Sequence, residues 1–422
     1  MKTIKKQPKI RFKGYTDEWE QRKLNEFMDF SNGINAPKEN YGKGRKMISV
    51  MDILSPNKIT YQNIRNSVSV SEAIESKNKV ENGDLIFVRS SEIVQEVGLS
   101  KAYTDSEYAL YSGFSIRGKR KSEYNPLFME INLNNGAGRK QIERKAGGST
   151  RFNVSQEILN SIDVLMPIYE EQNKIADVFE NINNTIALHQ RKLEALEKTK
   201  KSFLQKMFPK KDETKPEIRF AGFTDDWEQR KFFDNISSTI DFRGRTPKKL
   251  GMNWSTSGYL ALSALNVKNG YIDPLADAHY GDEELYNKWM AGKELKKGHV
   301  LFTTEAPMGN VAQVPDDKGY ILSQRTIAFE AKEKMMTNDF LAILLKSPIV
   351  FNSLSALSSG GTAKGVSQRS LKALSVVVPN SIKEQQKIGT FFKQLDDTIA
   401  LHHRQLEVLK NMKTSFLQKM YI

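Results

Sequence analysis

The chain has 422 residues, with 64 Lys and Arg against 50 Asp and Glu, a formal net charge of +14 and no cysteine. The length suggests more than one domain, and 39% hydrophobic and 27% charged residues indicate a folded protein rather than a disordered polycation. Zero cysteine excludes a disulfide scaffold, a thiol nucleophile and a cysteine-ligated metal site. No apolar signal segment follows Met1, and the longest strongly apolar stretch, Phe340–Leu345, is too short to span a bilayer, so we expect a cytoplasmic protein with no membrane partner.

The sequence contains an internal repeat. Residues 8–23 (PKIRFKGYTDEWEQRK) and 216–231 (PEIRFAGFTDDWEQRK) are identical at 12 of 16 positions. Residues 171–207 and 384–420 agree at 21 of 37 positions. The offsets of 208 and 213 are close to half the length, which indicates a tandem duplication.

In each copy the repeated segments flank a middle region whose sequence differs between the two copies. Short apolar runs broken by Gly, Asn, Asp and Pro predict a mixed, strand-rich domain in each middle. We therefore predict an α+β protein with four segments: domain 1 over residues 1–166 with a basic segment at 1–13, a helix and linker over 167–213, domain 2 over 214–378, and a second helix over 379–422. The pattern favours one scaffold that carries two different recognition domains.

Each repeated C-terminal segment predicts a long helix with a coiled-coil seam. Apolar residues alternate at spacings of four and three for more than four heptads, and each helix should be ~55 Å long at 1.5 Å per residue. The apolar seam residues are Ile175, Phe179, Ile182, Ile186, Leu193 and Leu196 in the first copy, and Ile388, Phe392, Leu395, Ile399, Leu406 and Leu409 in the second.

The polar seam positions favour an antiparallel intramolecular pair. A parallel pair would oppose Lys200 to Lys413 in a partly buried site, which is repulsive. In a centred antiparallel pair Lys200 would face Leu395, Lys413 would face Ile182, and both lysines could snorkel outward. His189 would then face Leu406, as a seam residue rather than a metal ligand. This pairing predicts a pseudo-twofold arrangement with the recognition domains at opposite ends.

The positive charge is clustered rather than spread. Residues 1–13 carry six basic and no acidic residues, whereas residues 14–170 carry 21 of each sign. Gly-containing basic loops let the backbone approach phosphates while Arg reaches base edges, although a solvated loop explains any one cluster equally well. The candidate DNA-binding residues are Arg117, Lys119 and Arg120; Arg139, Lys140 and Arg144, beside a turn expected at Gly136–Gly138; Arg243, Arg245, Lys248 and Lys249; and Arg151 and Lys364 in Gly-rich strings.

Catalytic motifs are missing from the sequence. It contains neither a G-x-x-x-x-G-K-[ST] phosphate loop nor an H-E-x-x-H metal motif, and Asn125-Pro126-Leu127-Phe128 matches only half of a methyltransferase motif. We therefore expect no bond-making or bond-breaking by this chain, and no bound cofactor or metal.

Across nearly its whole length the chain resembles the specificity (S) subunit of type I restriction–modification enzymes. The resemblance rests on two variable domains alternating with two near-identical helices. It also rests on specific strings, which are Trp19–Lys23 and its repeat, Arg243–Pro247 (RGRTP), Gly298–Pro307 (GHVLFTTEAP) and Gly360–Ser367 (GGTAKGVS). The first domain has no clean counterpart of Arg243–Pro247.

This resemblance implies that each domain reads one half of a bipartite double-stranded DNA sequence. The helices would set the spacing and dock two methyltransferase (M) subunits, and two restriction (R) subunits would complete the complex. S-adenosylmethionine, ATP and Mg would then be bound by those partners. The alternative from another class is a coiled-coil scaffold that binds protein or carbohydrate, which salt-dependent DNA binding would distinguish.

Overall fold

The structure, a computed structural model, describes residues 7–358 and 365–421, which form two compact units. Unit 1 contains the chain through Leu188 together with the segment from Gln405 onward. Unit 2 contains His189–Arg404. Each long helix therefore begins in one unit and ends in the other.

Unit 1 combines short strands with helices, as the broken apolar runs predict. Asn125 caps the third helix by accepting a hydrogen bond from the Phe128 amide at 3.0 Å, and Pro126 occupies its first turn, so the half-motif found in the sequence is a helix start. The strands are β1 (Glu20–Lys23), β2 (Met28–Asn32), β3 (Tyr41–Ile48), β4 (Asn66–Val68), β5 (Leu85–Val88), β6 (Ser90–Ser91), β7 (Ser100–Ala102), β8 (Leu110–Tyr111), β9 (Ser115–Arg120), β10 (Phe152–Asn153) and β11 (Asp163–Met166). The helices are α1 (Val50–Ile53), α2 (Glu72–Lys77), α3 (Pro126–Asn135), α4 (Ala137–Lys145), α5 (Gln156–Asn160) and α6 (Tyr169–Lys206).

Unit 2 repeats this plan with different lengths. Thr337 caps its second helix through a 3.2 Å hydrogen bond from the Phe340 amide. The strands are β12 (Glu228–Lys231), β13 (Ile236–Asp241), β14 (Tyr259–Leu262), β15 (Tyr280–Gly281), β16 (Val300–Thr303), β17 (Val311–Gln313), β18 (Ile321–Leu322), β19 (Thr326–Ala331) and β20 (Ser375–Val378). The helices are α7 (Glu283–Met290), α8 (Asn338–Lys346), α9 (Pro348–Leu357), α10 (Gln368–Ala373) and α11 (Ile382–Met420).

The sheets of the two units have the same topology. A four-stranded antiparallel sheet has the order β2-β9-β5-β7 in unit 1 and β13-β19-β16-β17 in unit 2. A three-stranded sheet has the order β4-β3-β8 in unit 1 and β15-β14-β18 in unit 2, and its β3–β8 and β14–β18 pairs are parallel. The divergent middles therefore share a fold that their sequences barely reveal.

The repeated strings form the base of each unit. There β1 pairs with β11 and β12 pairs with β20. Arg11 donates two hydrogen bonds, of 2.7 and 2.8 Å, to the fully buried carboxylate of Glu171 near the start of α6. Arg219 makes the same pair of bonds, of 2.6 and 2.8 Å, to Glu384 near the start of α11. These two ion pairs, which we call the base clamps, hold each helix to the repeated N-terminal string.

The helices pair in antiparallel fashion, as the seam lysines predict. In unit 2 the contacts of α6 run backwards along α11: His189 meets His402, Lys200 meets Asp396, and Phe203 meets Phe391. In unit 1 the start of α6 packs with the end of α11, where Phe179 lies 5.8 Å from Tyr421 between ring centroids. Every predicted seam residue lies in a helix: Ile175, Phe179, Ile182, Leu193, Ile388, Phe392 and Leu406 are buried, and Ile186, Leu196, Leu395, Ile399 and Leu409 are partly buried.

Two details of the predicted seam were wrong. His189 faces His402 rather than Leu406, with 2.8 Å between their Nδ1 atoms. Lys200 does not snorkel outward: its side chain is 15% exposed and its Nζ lies 2.5 Å from Asp396 Oδ1. Asp396 also pairs with Lys346 at 3.2 Å. The seam lysine is thus neutralised by an acidic residue on the facing helix, which seam spacing alone does not reveal.

Among the described residues, no single helix is both long and apolar enough to cross a membrane. The helices α8 and α9 reach the length and composition of a membrane span only when they are taken together, and the chain bends by 66° between them. Residues of both lie in the hydrophobic core of unit 2.

Candidate nucleic-acid interface

Two predicted basic loops of unit 1 are regular secondary structure. The cluster at Arg117–Arg120 lies in β9, and the cluster at Arg139–Arg144 lies in α4. The expected turn at Gly136–Gly138 is instead the start of that helix. A Cβ on Gly138 would make only ordinary van der Waals contact, with Leu133 at 3.4 Å, so this glycine is a buried helical residue rather than part of a turn.

Arg139 is a structural residue. It is 6% exposed, and its guanidinium donates hydrogen bonds to the carbonyls of Val94, Gln95 and Val97 at 3.1, 2.9 and 2.7 Å. Its Nε also bonds Glu143 at 2.9 Å. The side chain thereby fastens the segment before β7 to α4 and has little donor capacity left for DNA.

Arg117 is likewise buried. Its Nη1 donates to the Lys79 carbonyl, and the guanidinium lies 5.8 Å from the Tyr111 ring centroid. Arg120 stacks over Tyr124 at 5.2 Å and is partly buried. Among the predicted basic residues of these two clusters, Lys119, Lys140 and Arg144 are exposed.

The basic loop of unit 2 is a loop, as predicted, and it is held by Asp241. Arg243 bonds both carboxylate oxygens of Asp241, and its Nη1 donates to the Val366 carbonyl at 3.0 Å. Gln368 donates to the same carboxylate at 2.9 Å. Burial alone would raise the pKa of Asp241, but the hydrogen bonds from Arg243 and Gln368 outweigh it and hold that pKa below its ordinary value. Arg243 therefore joins the end of β13 to the segment before α10.

Arg245 and Lys248 lie beside an open cleft in unit 2, whereas Lys249 is exposed and Lys364 is outside the described residues. The Arg245 guanidinium lies 4.4 Å above the Phe242 ring centroid and donates to the Trp289 carbonyl. Gln324 Nε2 donates to the Arg245 carbonyl at 2.7 Å. The loop is thus fixed against the cleft wall at both the side chain and the backbone of Arg245.

The unit 2 cleft is aromatic and cationic. It has a volume of about 580 Å³, and Trp254 lies at one side with its ring centroid 5.5 Å from those of both Trp289 and His279. Three of its lining residues have left-handed φ angles, which cost energy outside glycine and concentrate at functional sites. They are Asp277 (φ 50°), Ala306 (φ 47°) and Arg325 (φ 63°).

Unit 1 has a cleft of about 770 Å³ with a different lining. Met51, Ile93 and Phe114 are exposed apolar residues of its lining, and the guanidinium of Arg151, a predicted DNA-binding residue, lies 6.0 Å from the centroid of the Phe114 ring. Arg65, Glu92 and Glu96 are charged residues of the same lining.

The two clefts occupy the same place in the shared fold. In unit 1 the Arg89 amide, after β5, donates to the Phe114 carbonyl at 2.9 Å just before β9. In unit 2 the Thr304 amide, after β16, donates to the Arg325 carbonyl at 2.8 Å just before β19. These strands correspond in the common sheet order, so Phe114 and Arg325 are topological counterparts.

A second pair of hydrogen bonds confirms this correspondence. The Ser49 amide after β3 bonds the Asp52 side chain at 2.9 Å, and the Ser263 amide after β14 bonds the Asn266 side chain at 2.8 Å. Between them lie the cleft residues Met51 and Leu265, which are both exposed. Two corresponding loops therefore contribute to both clefts with different side chains, and the unit 2 cleft is lined in addition by Arg245, Trp254 and Trp289.

Sequence reasoning found Arg151, Arg245 and Lys248 but missed most of the cleft residues. Phe114, Met51, Arg325 and Trp254 carry no local motif, because exposed residues at strand ends look like any loop. Aligning Tyr111–Ser115 (YSGFS) with Leu322–Thr326 (LSQRT) would have revealed the Phe114 and Arg325 position, but only the strand pairing justifies that alignment.

Comparison with known proteins identifies relatives of this duplicated chain. Residues 16–198 and 225–411 match the family described as the type I restriction modification DNA specificity domain. A Methanocaldococcus jannaschii protein assigned as the type I restriction enzyme MjaX specificity subunit is 22% identical over 420 residues, 95% of this chain and 92% of that protein. The MjaVIII specificity subunit of the same organism is 25% identical over 274 residues, 63% of this chain and 62% of its own length.

Solved structures agree on the fold. The crystal structure of the S subunit of a type I restriction–modification system from M. genitalium has a TM-score of 0.64 at 13% identity and covers 99% of both chains. A structure described under complex assembly and conformational transition of the type I R-M system has a TM-score of 0.51 at 13% identity, and covers 95% of this chain and 97% of that one. With both halves matched by the family, the chain belongs to the type I restriction–modification DNA specificity domain family and has two DNA-recognition halves.

Proposed function

We propose that each unit reads one half of a bipartite DNA target through its cleft, and that the bases between the two halves are not read. The observation that carries this proposal is the pair of topologically equivalent clefts with unlike linings. A duplicated scaffold with a common base and different clefts would give two readers of different DNA sequence on one frame.

The exposed cations of the two units fit a division between base reading and phosphate contact. In unit 2 Arg325 and Lys248 lie at the cleft and Lys249 is exposed nearby in sequence. In unit 1 Lys140 and Arg144 are exposed on α4, where Arg144 Nε bonds the Lys140 carbonyl at 3.1 Å. Exposed cations of this kind position DNA through phosphates, whereas side chains in a groove discriminate bases.

In the proposed complex the catalytic chemistry would come from the partner subunits. Two M subunits would dock on α6 and α11 and bind S-adenosylmethionine, and two R subunits would bind ATP and Mg. This chain would act in the cytoplasm as the non-catalytic member of a DNA modification and restriction system. Among its described residues no group of three or more His, Asp and Glu is placed to hold a metal ion.

Methylation mapping tests the proposal directly. The full chain would be co-expressed with its M subunits, and methylated sites would be mapped across the host genome. We expect one bipartite motif, together with DNA affinity that falls steeply with salt because phosphate contacts release counterions. Methylation without a bipartite motif, or salt-independent binding, would contradict the proposal and favour the scaffold alternative.

Replacing Arg245 tests the cleft itself. R245A should weaken recognition of one half-site only, by about 1–3 kcal/mol if the guanidinium turns from Trp289 to a base on binding. Equal weakening on all DNA sequences would instead identify a phosphate contact. K318A, which removes an exposed unit 2 lysine that pairs with Asp316, is the matched control.

The helices can be tested as the element that sets the spacing. Four residues inserted within Lys198–Lys211 would add ~6 Å if helical, equivalent to roughly two base pairs at 3.4 Å each. We expect the tolerated spacer to change while the bases of each half-site stay the same. An unchanged spacer in a folded, active variant would exclude this role for α6.

A further inference from the structure

Phe114 and Arg325 occupy the same exposed position in the two clefts of one fold, yet one side chain is apolar and the other is cationic. We infer that this position selects the class of base read in each half-site, with Arg325 pairing with guanine and Phe114 packing against the methyl group of thymine. The inference rests on the proposed function, since it requires the clefts to face the major groove.

Arg325 has the geometry of a base-reading arginine. Its side chain is 55% exposed, and its left-handed backbone, with φ 63°, is held by the carbonyl bond from the Thr304 amide. Glu305 Oε2 lies 3.6 Å from its Nε, which orients the guanidinium from one edge. An arginine held this way can direct its outer nitrogens at O6 and N7 of guanine, the commonest specific contact in the major groove.

The neighbouring polar groups of the unit 2 cleft are largely engaged within the protein. Gln324 donates to the Arg245 carbonyl, and the Arg245 guanidinium donates to the Trp289 carbonyl. Arg325 is therefore the better placed of the two cleft arginines to contact a base without losing an internal hydrogen bond.

Phe114 gives the unit 1 cleft an apolar tip at the same position. It is 56% exposed, and the exposed side chains Met51 and Ile93 line the same cleft. Large apolar side chains left exposed around one cleft indicate a surface completed by a partner. In the major groove the apolar partner is the C5-methyl group of thymine.

The turn that presents Phe114 is rigid. Arg89 Nη1 donates to the Gly113 carbonyl at 3.2 Å, and a Cβ on Gly113 would lie only 1.9 Å from Asn35 Oδ1. The guanidinium of Arg151 lies over the Phe114 ring, 6.0 Å from its centroid. The Phe114 ring is exposed and is not among the residues of the buried core clusters, so its removal should not unfold unit 1.

Single-atom changes in DNA can test both residues. The full chain assembled with its M subunits would be titrated with duplexes of the mapped target, in which thymines are replaced one at a time by deoxyuridine and guanines by 7-deazaguanine. The wild-type complex should lose about 5- to 150-fold in affinity at one guanine of one half-site, and about 4-fold at one thymine of the other, where one buried methyl group is removed.

The variants F114A and R325A should each abolish one of those two losses. F114A should bind the thymine and deoxyuridine duplexes equally, and R325A should be indifferent to 7-deazaguanine at its position while keeping the other half-site intact. The controls I74A and K318A, at exposed apolar and basic positions away from the clefts, should keep both losses.

The outcomes separate this inference from the proposed function. If a bipartite motif exists but F114A and R325A keep the wild-type base preferences, the assignment of these residues is overturned and the half-site reading stands. If the wild-type complex has no bipartite motif, both are overturned. Thermal melting of each variant ensures that a lost preference is not lost folding.

Discussion

The two units agree at their base and differ at their clefts. Both bases have a buried carboxylate clamped by arginine, and Gln172 and Gln385 occupy the same place beside it, with the Asn125 and Thr337 amides donating to their side chains at 3.0 and 3.1 Å. In contrast, the equivalent cleft position is Phe114 in one unit and Arg325 in the other. The two copies therefore share the contacts that hold the helices and differ at the clefts that we propose to face DNA.

The seam lysines show a smaller divergence of the same kind. In unit 2 Lys200 pairs with Asp396 on the facing helix. In unit 1 Lys413 has the charges of Lys101 and Glu130 nearby, and burial lowers its pKa. The repeat position of Asp396 is Asn183, and the carboxylate near Lys413 is Glu130 of α3, which itself pairs with Lys101 at 3.7 Å. Lys200 therefore pairs with an acidic residue on the facing helix, whereas the acidic residue near Lys413 belongs to the recognition domain.

Breaking the base clamps should have the largest effect, and an equal one in both units. R219M leaves the Glu384 carboxylate, 1% exposed, without its partner, and R11M does the same to Glu171. Losing one partner of a buried ion pair should cost about 3–5 kcal/mol of unfolding free energy. Denaturant unfolding with hydrogen exchange would localise each loss to its own unit.

The matched control for these clamp variants is R22M, since Arg22 pairs with Glu26 on the surface. It should cost less than about 1 kcal/mol. A loss for R219M as small as that for R22M would show that the clamp does not hold unit 2 together.

Replacing Asp241 should have an intermediate effect that is specific to unit 2. D241N makes this position resemble its unit 1 counterpart Asn32 and removes the charged acceptor of Arg243 and Gln368, which should cost about 1–3 kcal/mol. Because the pKa of Asp241 is lowered in the folded state, its contribution is present above its unfolded pKa and is lost as pH falls through the folded pKa. Unfolding of wild type and D241N should therefore converge in acid; a constant difference between pH 7 and 3 would contradict this.

Replacing Lys346 should change how the unfolding free energy of unit 2 depends on pH at alkaline pH, whereas Asp241 acts at acidic pH. Burial lowers the pKa of Lys346, although Asp396 opposes the shift, so unfolding free energy should rise as pH increases from the folded pKa toward the ordinary value of 10.5. K346M should flatten that rise. Guanidinium unfolding between pH 8 and 10.5 would measure the difference, with the exposed-lysine variant K318A as control; identical slopes for K346M and wild type would refute the assignment.

The phosphate contacts should give the smallest effects. Removing Lys140 and Arg144 from unit 1, or Lys248 and Lys249 from unit 2, should each lower the salt slope of DNA binding by about 2, roughly one per cation, and leave the methylated motif unchanged. Fluorescence anisotropy across a salt series would measure it. A changed motif would move these residues from positioning to base reading.

The sequence was sufficient for the duplication, the helices and their direction, because these depend on repeated strings and on heptad spacing. It misplaced Arg117 and Arg139, since a glycine beside basic residues resembles a loop, whereas Gly118 is in β9 and Gly138 in α4. The clefts could not be predicted from the sequence for a different reason. Met51, Ile93, Phe114 and Arg151 are up to 100 positions apart, and only non-local strand pairing brings them together.

The placement of the end of α11 has a consequence for synthesis. Tyr421 packs among Trp19, Phe128 and Phe179, and the Ile10 amide bonds the Lys419 carbonyl at 3.0 Å, so unit 1 needs residues that the ribosome adds after all of unit 2. At about 5–20 residues per second, the apolar surface around Trp19 waits on the order of 10–50 s for its cover. The half of the protein that is made first is therefore completed last, and the reader with the exposed phenylalanine is the one that depends on an intact chain.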